Sequence, residues 1–337
     1  MPTTQQSAVD LLRIDPEKEV DRISKLIRDV VLVQFKRKGA VVGVSGGIDS
    51  SVVAALCAHA LGKDRVVGLF MPESESAPES LMLGRLLTDS LGIRAILENI
   101  TPLLEGTGCY RRRDEAIRSV VPEYTEEYKC KITLPNLLDE DRYAIFSVLV
   151  QSPTGETKKV RLPLTAYLGI VAASNFKQRA RKMIEYFHSD SLNYAVAGTP
   201  NRLEYDLGFF VKGGDGAADF KPIAHLYKSQ VYQLAEYLGI PDEIRLRPPT
   251  TDTYSLAQSQ EEFYFSMPLE QMDVCLYGRE HSMEPNEVAS ILGLTESQVK
   301  RAYSMIDSKR KNARYLHLPP VLISEANSAD EIAFKAD

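Results

Sequence analysis

Apolar positions near the start of the chain switch between two spacings. Across residues 20–38, Ile23, Leu26, Ile27, Val30, Val31 and Phe35 recur at helical intervals, which predicts an amphipathic helix stopped by Gly39. Residues 40–44 are then apolar without a break, as in a strand buried on both faces. Residues 51–61 form an apolar, alanine-rich helix ended by Gly62, and 65–70 a second strand that stops at Met71 and Pro72. A helix over 78–91, closed by Gly92, and a third strand over 94–100 follow. Strands and helices alternating at this spacing predict an α/β fold, with a central parallel sheet flanked by helices and joined by right-handed crossovers.

The pattern breaks between residues 101 and 164. This stretch carries the basic run Arg111, Arg112, Arg113 and two strand-like pieces, 143–150 and 158–164, around Ser152-Pro153-Thr154-Gly155-Glu156. The two pieces read as a β-hairpin. The whole is expected to be an insertion, either a lid or a dimer element. Helical spacing resumes at 176–187, a strand at 192–198, and a helix at 226–238 closed by Gly239 and Pro241. Two helices are expected at 285–292 and 296–311. Their junction has helix-turn-helix spacing, but a single such unit in an acidic chain argues against DNA binding. The expected organisation is one domain over 1–280, with the insertion inside it, and a C-terminal helical segment and tail over 281–337.

Bulk composition narrows the class. Apolar residues make up 44% of the 337, enough for a large core, and the net charge of −6 argues against a general polyanion binder. Four cysteines without a C-x-x-C pair point to a reducing compartment and make a cytoplasmic location the default. With only five histidines to help, a zinc site is not expected. The N-terminus lacks the layout of a signal peptide, and no apolar run is long enough to span a bilayer.

The chemistry concentrates where the first strand meets its helix, in VVGVSGGIDSS from Val41 to Ser51. Gly46 and Gly47 let the backbone turn tightly, and the N–H groups of the helix start can face an anion. Ser45, Ser50 and Ser51 add hydroxyls. Asp49 is repelled by phosphate unless a cation lies between, for which Mg2+ is the natural bridge. The G-x-G-x-x-G fingerprint is absent, as is a Walker Gly-Lys-Ser/Thr ending.

This turn resembles the pyrophosphatase loop of the N-type ATP pyrophosphatases, whose fold is the Rossmann-like adenine nucleotide alpha hydrolase fold. The stretches SNFKQRARKMIEYF (174–187) and YAVAGTPNRLEYDLGFFVKGGDGAADFKPIAHLYKSQVYQLAEYLGIPDEI (194–244) resemble the ammonia-dependent NAD synthetase branch. The resemblance covers about 20–249 outside the insertion. It implies ATP contacts from Gly43, Val44, Ser45, Gly46, Gly47, Ile48, Asp49, Ser50, Ser51, Thr199, Lys228 and Thr250. It implies Mg2+ held by Asp49 and Glu204, and a second substrate, deamido-NAD, bound by Arg179, Lys212 and Asp219. Asp49, Lys228 and Asp219 are the catalytic candidates, Asp219 for handling ammonia. The family's C-terminal histidine-lysine pair has no clean match, and Arg310 and Lys311 stand nearest.

The implied reaction is ATP-dependent amide formation through an acyl-adenylate, with ammonia as nucleophile and AMP and pyrophosphate released. A homodimer is expected, and no cysteine has an evident glutaminase triad, so ammonia comes free or from a separate glutaminase partner. Residues 101–164 and 253–266 depart from the family pattern on the side of the second substrate. The open alternatives are a paralogous ligase for a different carboxylic acid and a non-catalytic ATP-binding sensor or scaffold. Sulfur transfer to tRNA would favour a basic surface and a thiol pair, which the sequence lacks.

Overall fold

A computed structural model describes residues 8–134, 146–249 and 253–322, so Thr250 and the first residues of the expected 143–150 strand lie outside the described residues. The central sheet is parallel. Strands β1 (Ala40–Gly43), β2 (Val66–Phe70) and β3 (Arg94–Leu97) are followed, after the antiparallel strands given below, by β7 (Ala195–Ala197), and the spatial order is β3-β2-β1-β7. Val41 is in register with Val67 on one side and Val196 on the other. That central place explains the unbroken apolar run, because alternate residues feed two cores. Ala40, Val42 and Val44 face α2 (Pro16–Arg28), α3 (Ile48–Leu61) and α9 (Lys228–Tyr237), whereas Val41 faces α5 (Thr101–Gly106), α6 (Cys109–Arg118) and α7 (Leu164–Leu192). Helix α4 (Pro78–Leu91) closes the first core with Leu83 and Leu87, and two four-residue helices, α1 (Ala8–Leu11) and α10 (Asp242–Arg245), precede α2 and follow α9.

Several expected boundaries move. The helix expected at 20 starts at Pro16, because Asp15 caps it by accepting from Lys18 N, and after Arg28 it widens into a π-helical turn, Asp29–Gln34. The expected 176–187 helix is the middle of α7, which runs 29 residues from the Pro163 cap to Asn193, where a left-handed residue (φ 55°) stops it. That helix takes up Leu192, so the expected 192–198 strand shrinks to β7. The strand expected to reach Ile100 ends at Leu97, and the helix expected from 226 starts at Lys228 because Tyr227 is extended.

The 101–164 stretch begins with α5 and α6 and continues as an antiparallel sheet, β4 (Lys129–Thr133), β5 (Ser147–Gln151) and β6 (Thr157–Arg161). The hairpin expected around 152–156 is β5–β6. Cys130, Ile132, Val148 and Val150 point inward and pack on Ile117, Tyr124 and Ile170. At the C-terminus, α11 (Leu269–Glu280), α12 (Pro285–Leu292) and α13 (Glu296–His317) share a core with Leu203 and Leu207 of α8 (Arg202–Leu207).

Candidate active site

A cavity of about 600 Å³ opens at the carboxyl ends of β1, β2 and β7, where parallel α/β sheets bind ligands. Gly43 through Ser50 line it, and Ser51 does not: its hydroxyl is buried and bonded to the Gly47 carbonyl at 2.9 Å. Gly46 has φ +77°, and a Cβ there would stand 2.6 Å from the Ser80 carbonyl oxygen, so only glycine makes the turn. Ser50 Oγ accepts from Ser45 N (3.3 Å) and donates to the Gly47 carbonyl (3.0 Å), fixing the start of α3.

Behind this turn sits a compact charged group. Lys228, the first residue of α9, is buried and pairs through Nζ with Asp49 Oδ2. Asp49 Oδ1 accepts from Asn201 Nδ2 at 3.1 Å. Asn201 also caps α8: its side chain accepts from Glu204 N (3.1 Å), and Glu204 Oε2 accepts from Asn201 N (3.2 Å). Gln260 Nε2 donates to Glu204 Oε1 at 2.9 Å. Burial, and then the Asp49 charge, push the Glu204 carboxyl up to about 8, against the pull of Lys228. Burial works against the Lys228 ammonium, but Asp49 and Glu204 outweigh it and hold the proton on.

Once Glu204 gives up its proton, two carboxylates would face one ammonium, and every candidate ligand atom of the pair is an oxygen. That set suits Mg2+, which accepts one or two protein carboxylates and takes its other positions from phosphate and water. Among the described residues no group of three or more acidic, histidine or cysteine side chains is placed to hold a metal. An ion here would therefore rest on Asp49, Glu204 and the nucleotide.

The expected second-substrate residues lie apart from the cavity lining. Arg179 Nε donates to the Lys212 carbonyl (3.3 Å), and Lys212 Nζ donates to the carbonyls of Tyr315 (2.9 Å) and Leu318 (3.2 Å). Asp219 accepts from Val196 N (2.7 Å) and from the Tyr186 hydroxyl (3.3 Å), bracing β7. Arg310 does not join them. It is bound to Asp206 (2.5 Å) and Glu280 (2.8 Å), while Lys311 is exposed. The part of the C-terminus that reaches Lys212 is Tyr315 to Leu318.

Sequence reading missed several polar residues of the cavity. Glu185 lies so close to the turn that a Cβ on Gly43 would be 2.8 Å from its Oε1, and Lys182 pairs with it at 2.5 Å. Burial raises the carboxyls of Glu185 and Asp215. Asn201 and Gln260 were also missed. The N-x-x-E spacing of Asn201 and Glu204 was the available signal, since it marks a capping box. Nothing comparable marks Gln260, which arrives from 56 residues away.

Comparisons with known proteins identify the family and the fold. The family model described as NAD synthase matches residues 19–119 and 157–316. The NH(3)-dependent NAD(+) synthetase of Mesorhizobium japonicum is 58% identical over 315 residues, covering 94% of this chain and 99% of that one. Its counterpart in Rhizobium meliloti is 56% identical over 316 residues, covering 94% of each. Among solved structures, an NH3-dependent NAD synthetase from Campylobacter jejuni superposes with a TM-score of 0.60 at 23% identity, covering 92% of this chain and 100% of that one. An NMN synthetase from Francisella tularensis superposes with a TM-score of 0.59 at 21% identity, covering 92% and 99%. Those two likenesses establish the shared fold, and the family match together with the sequence relatives establishes that this chain belongs to the NAD synthase family.

Proposed function

We propose that this chain is an ammonia-using ligase that converts deamido-NAD to NAD through an acyl-adenylate, releasing AMP and pyrophosphate. The observation that carries the reading is the Asp49–Lys228–Asn201–Glu204 group set directly behind the 44–50 turn. The triphosphate lies along that turn, with Thr199 and Thr250 as further contacts. Asp49 and Glu204 would hold Mg2+, which would supply neutralisation of phosphate charge. Lys228 stays protonated and stabilises the leaving pyrophosphate once the substrate carboxylate attacks the α-phosphorus. Ammonia then attacks the acyl carbon and AMP departs. Alignment and charge neutralisation supply most of the rate.

Arg179, Lys212 and Asp219 bind the dinucleotide along α7 and the 212–219 loop, and Arg179 lies on the same broad face of α7 as the exposed Leu164, Leu168, Met183 and Phe187. Four large apolar side chains in water on one helix favour a second copy, and we assign this face to a homodimer. Ammonia comes free or from a separate glutaminase. The chain's own thiols do not serve, since all four cysteines are buried and burial pushes Cys57 and Cys275 up to about 12 and Cys109 up to about 11. Among the described residues no helix is long and apolar enough to cross a membrane.

The test is turnover with deamido-NAD, MgATP and ammonium, reading NAD, AMP and pyrophosphate in equal amounts. Preferential turnover of nicotinate mononucleotide would move the assignment to the paralogous ligase. ATP binding without turnover of any acid would leave only the sensor reading.

A further inference from the structure

Residues 120–156 fall outside the family match, and they carry β4. Its partner β5 occupies one edge of β4. The other edge is lined by chain from far downstream. Leu256 N donates to the Cys130 carbonyl (3.2 Å), Cys130 N to Ser255 Oγ (2.9 Å) and Leu134 N to the Glu262 carbonyl (3.4 Å). Lys131 Nζ donates to the Ala257 carbonyl (3.2 Å) and pairs with the Glu262 carboxylate (2.8 Å). Gln258 is buried and donates from Nε2 to the Ile132 carbonyl.

The segment held this way is a wall of the active-site cavity. Thr253, Tyr254, Gln260, Phe263 and Tyr264 line it, and Gln260 is the residue bonded to Glu204. Its upstream end is tied as well. The buried Lys177 donates to the Thr253 carbonyl (3.0 Å) and to Glu73 (2.8 Å) and Glu75 (2.6 Å), which belong to the loop after β2 that forms another part of the wall. Apart from a bridge at Ser259 and the helical turn that opens at Gln260 and widens into the π-helical Glu261–Phe265, residues 253–264 have no regular structure of their own. Their order depends on what they lean on.

We propose that β4 is a splint, with Lys131 and Gln258 as positioning residues that seat 253–264, and through it Gln260, against the nucleotide side of the site. The kinetic part of this inference rests on the ligase reading, while the structural part does not. Lys131 and Gln258 stand outside the cavity lining, so neither is expected to touch a substrate.

The test uses the full-length protein with Lys131→Met, Gln258→Leu, the conservative Lys131→Arg, and Lys159→Met, an exposed lysine on β6, as the control. Hydrogen exchange is followed by mass spectrometry. Backbone amides in 253–264 are expected to exchange about tenfold faster in Lys131→Met, with peptides covering β1 and α3 unchanged. In ATP–pyrophosphate exchange with deamido-NAD present and ammonia withheld, the KM for ATP is expected to rise about five- to tenfold with kcat within about twofold. Lys131→Arg restores both readouts, and Lys159→Met moves neither. Unchanged exchange of 253–264 in both Lys131→Met and Gln258→Leu would overturn the splint. So would a fall in kcat at constant KM, the mark of a merely smaller folded fraction. A wild-type enzyme without turnover would remove the ligase reading and leave the exchange experiment to decide.

Discussion

Replacing Lys228 with methionine isolates the electrostatics of the site. The aliphatic part of the side chain is retained, so the packing of α9 changes little. The ammonium shared by Asp49 and Glu204 disappears. The Lys228 side chain is 4% exposed and that of Asp49 14%, so this is a buried pair, and removing one partner of such a pair costs about 3–5 kcal/mol. The lower end applies, because Asp49 keeps its bond from Asn201 and faces a cavity that admits water. At about 2 °C per kcal/mol for a chain of this size, the midpoint of thermal unfolding should fall by about 6 °C. Asp49→Asn in the same background removes the orphaned charge. The double variant should therefore be more stable than Lys228→Met alone, with a coupling energy of about 2 kcal/mol. Mg2+ should raise the midpoint more in Lys228→Met than in the wild type, because it supplies the missing positive charge. Calorimetry without nucleotide reads all three effects. A midpoint within 1 °C of the wild type, or strict additivity with Asp49→Asn, would refute the shared-cation argument.

Further expectations are independent of that pair. Gly46→Ala forces a Cβ into a left-handed turn against the Ser80 carbonyl, and urea unfolding should show a loss of about 2–3 kcal/mol, with weaker ATP binding by calorimetric titration. Lys309 stacks its ammonium over the Tyr264 ring at 3.3 Å, and burial lowers it to about 7. Between pH 7 and 10.5 the unfolded chain holds the extra proton, so stability should rise with pH across that window, and Lys309→Met should abolish the slope and raise the pH 7 midpoint. Leu168→Glu together with Phe187→Asp should yield monomers by sedimentation if the exposed face of α7 is the dimer contact, and an unchanged sedimentation coefficient would reject that face.

What could be read in advance followed local signals. The β1-turn-α3 unit was legible because a two-sided buried strand, two glycines and the start of an apolar helix sit within about a dozen residues of each other. Lys228 and Glu204 were legible through the stretch 194–244 as a whole, not through any property of lysine or glutamate. Arg310 was misplaced for a physical reason: a basic residue near the C-terminus matches a motif by type, but α13 turns it toward Asp206 and Glu280. The length of α7 was hidden because its first half carries small and apolar residues without a clear stripe, and helical order there comes from packing against α6 and β4–β6. The seating of 253–264 on β4 joins residues more than a hundred positions apart, and no local pattern carries that information.

Asn201 gives the site a constraint of a different kind. A helix would start as well from aspartate as from asparagine at that position. Asparagine alone, however, has an amide nitrogen to give to Asp49 while its oxygen serves Glu204 N. An aspartate would lose that donor and set a third negative charge beside two carboxylates already in conflict. The first turn of α8 therefore acts as a spacer bar. The same amide that begins the helix sets the gap between the two acids, and a drift in one cannot be corrected without moving the other.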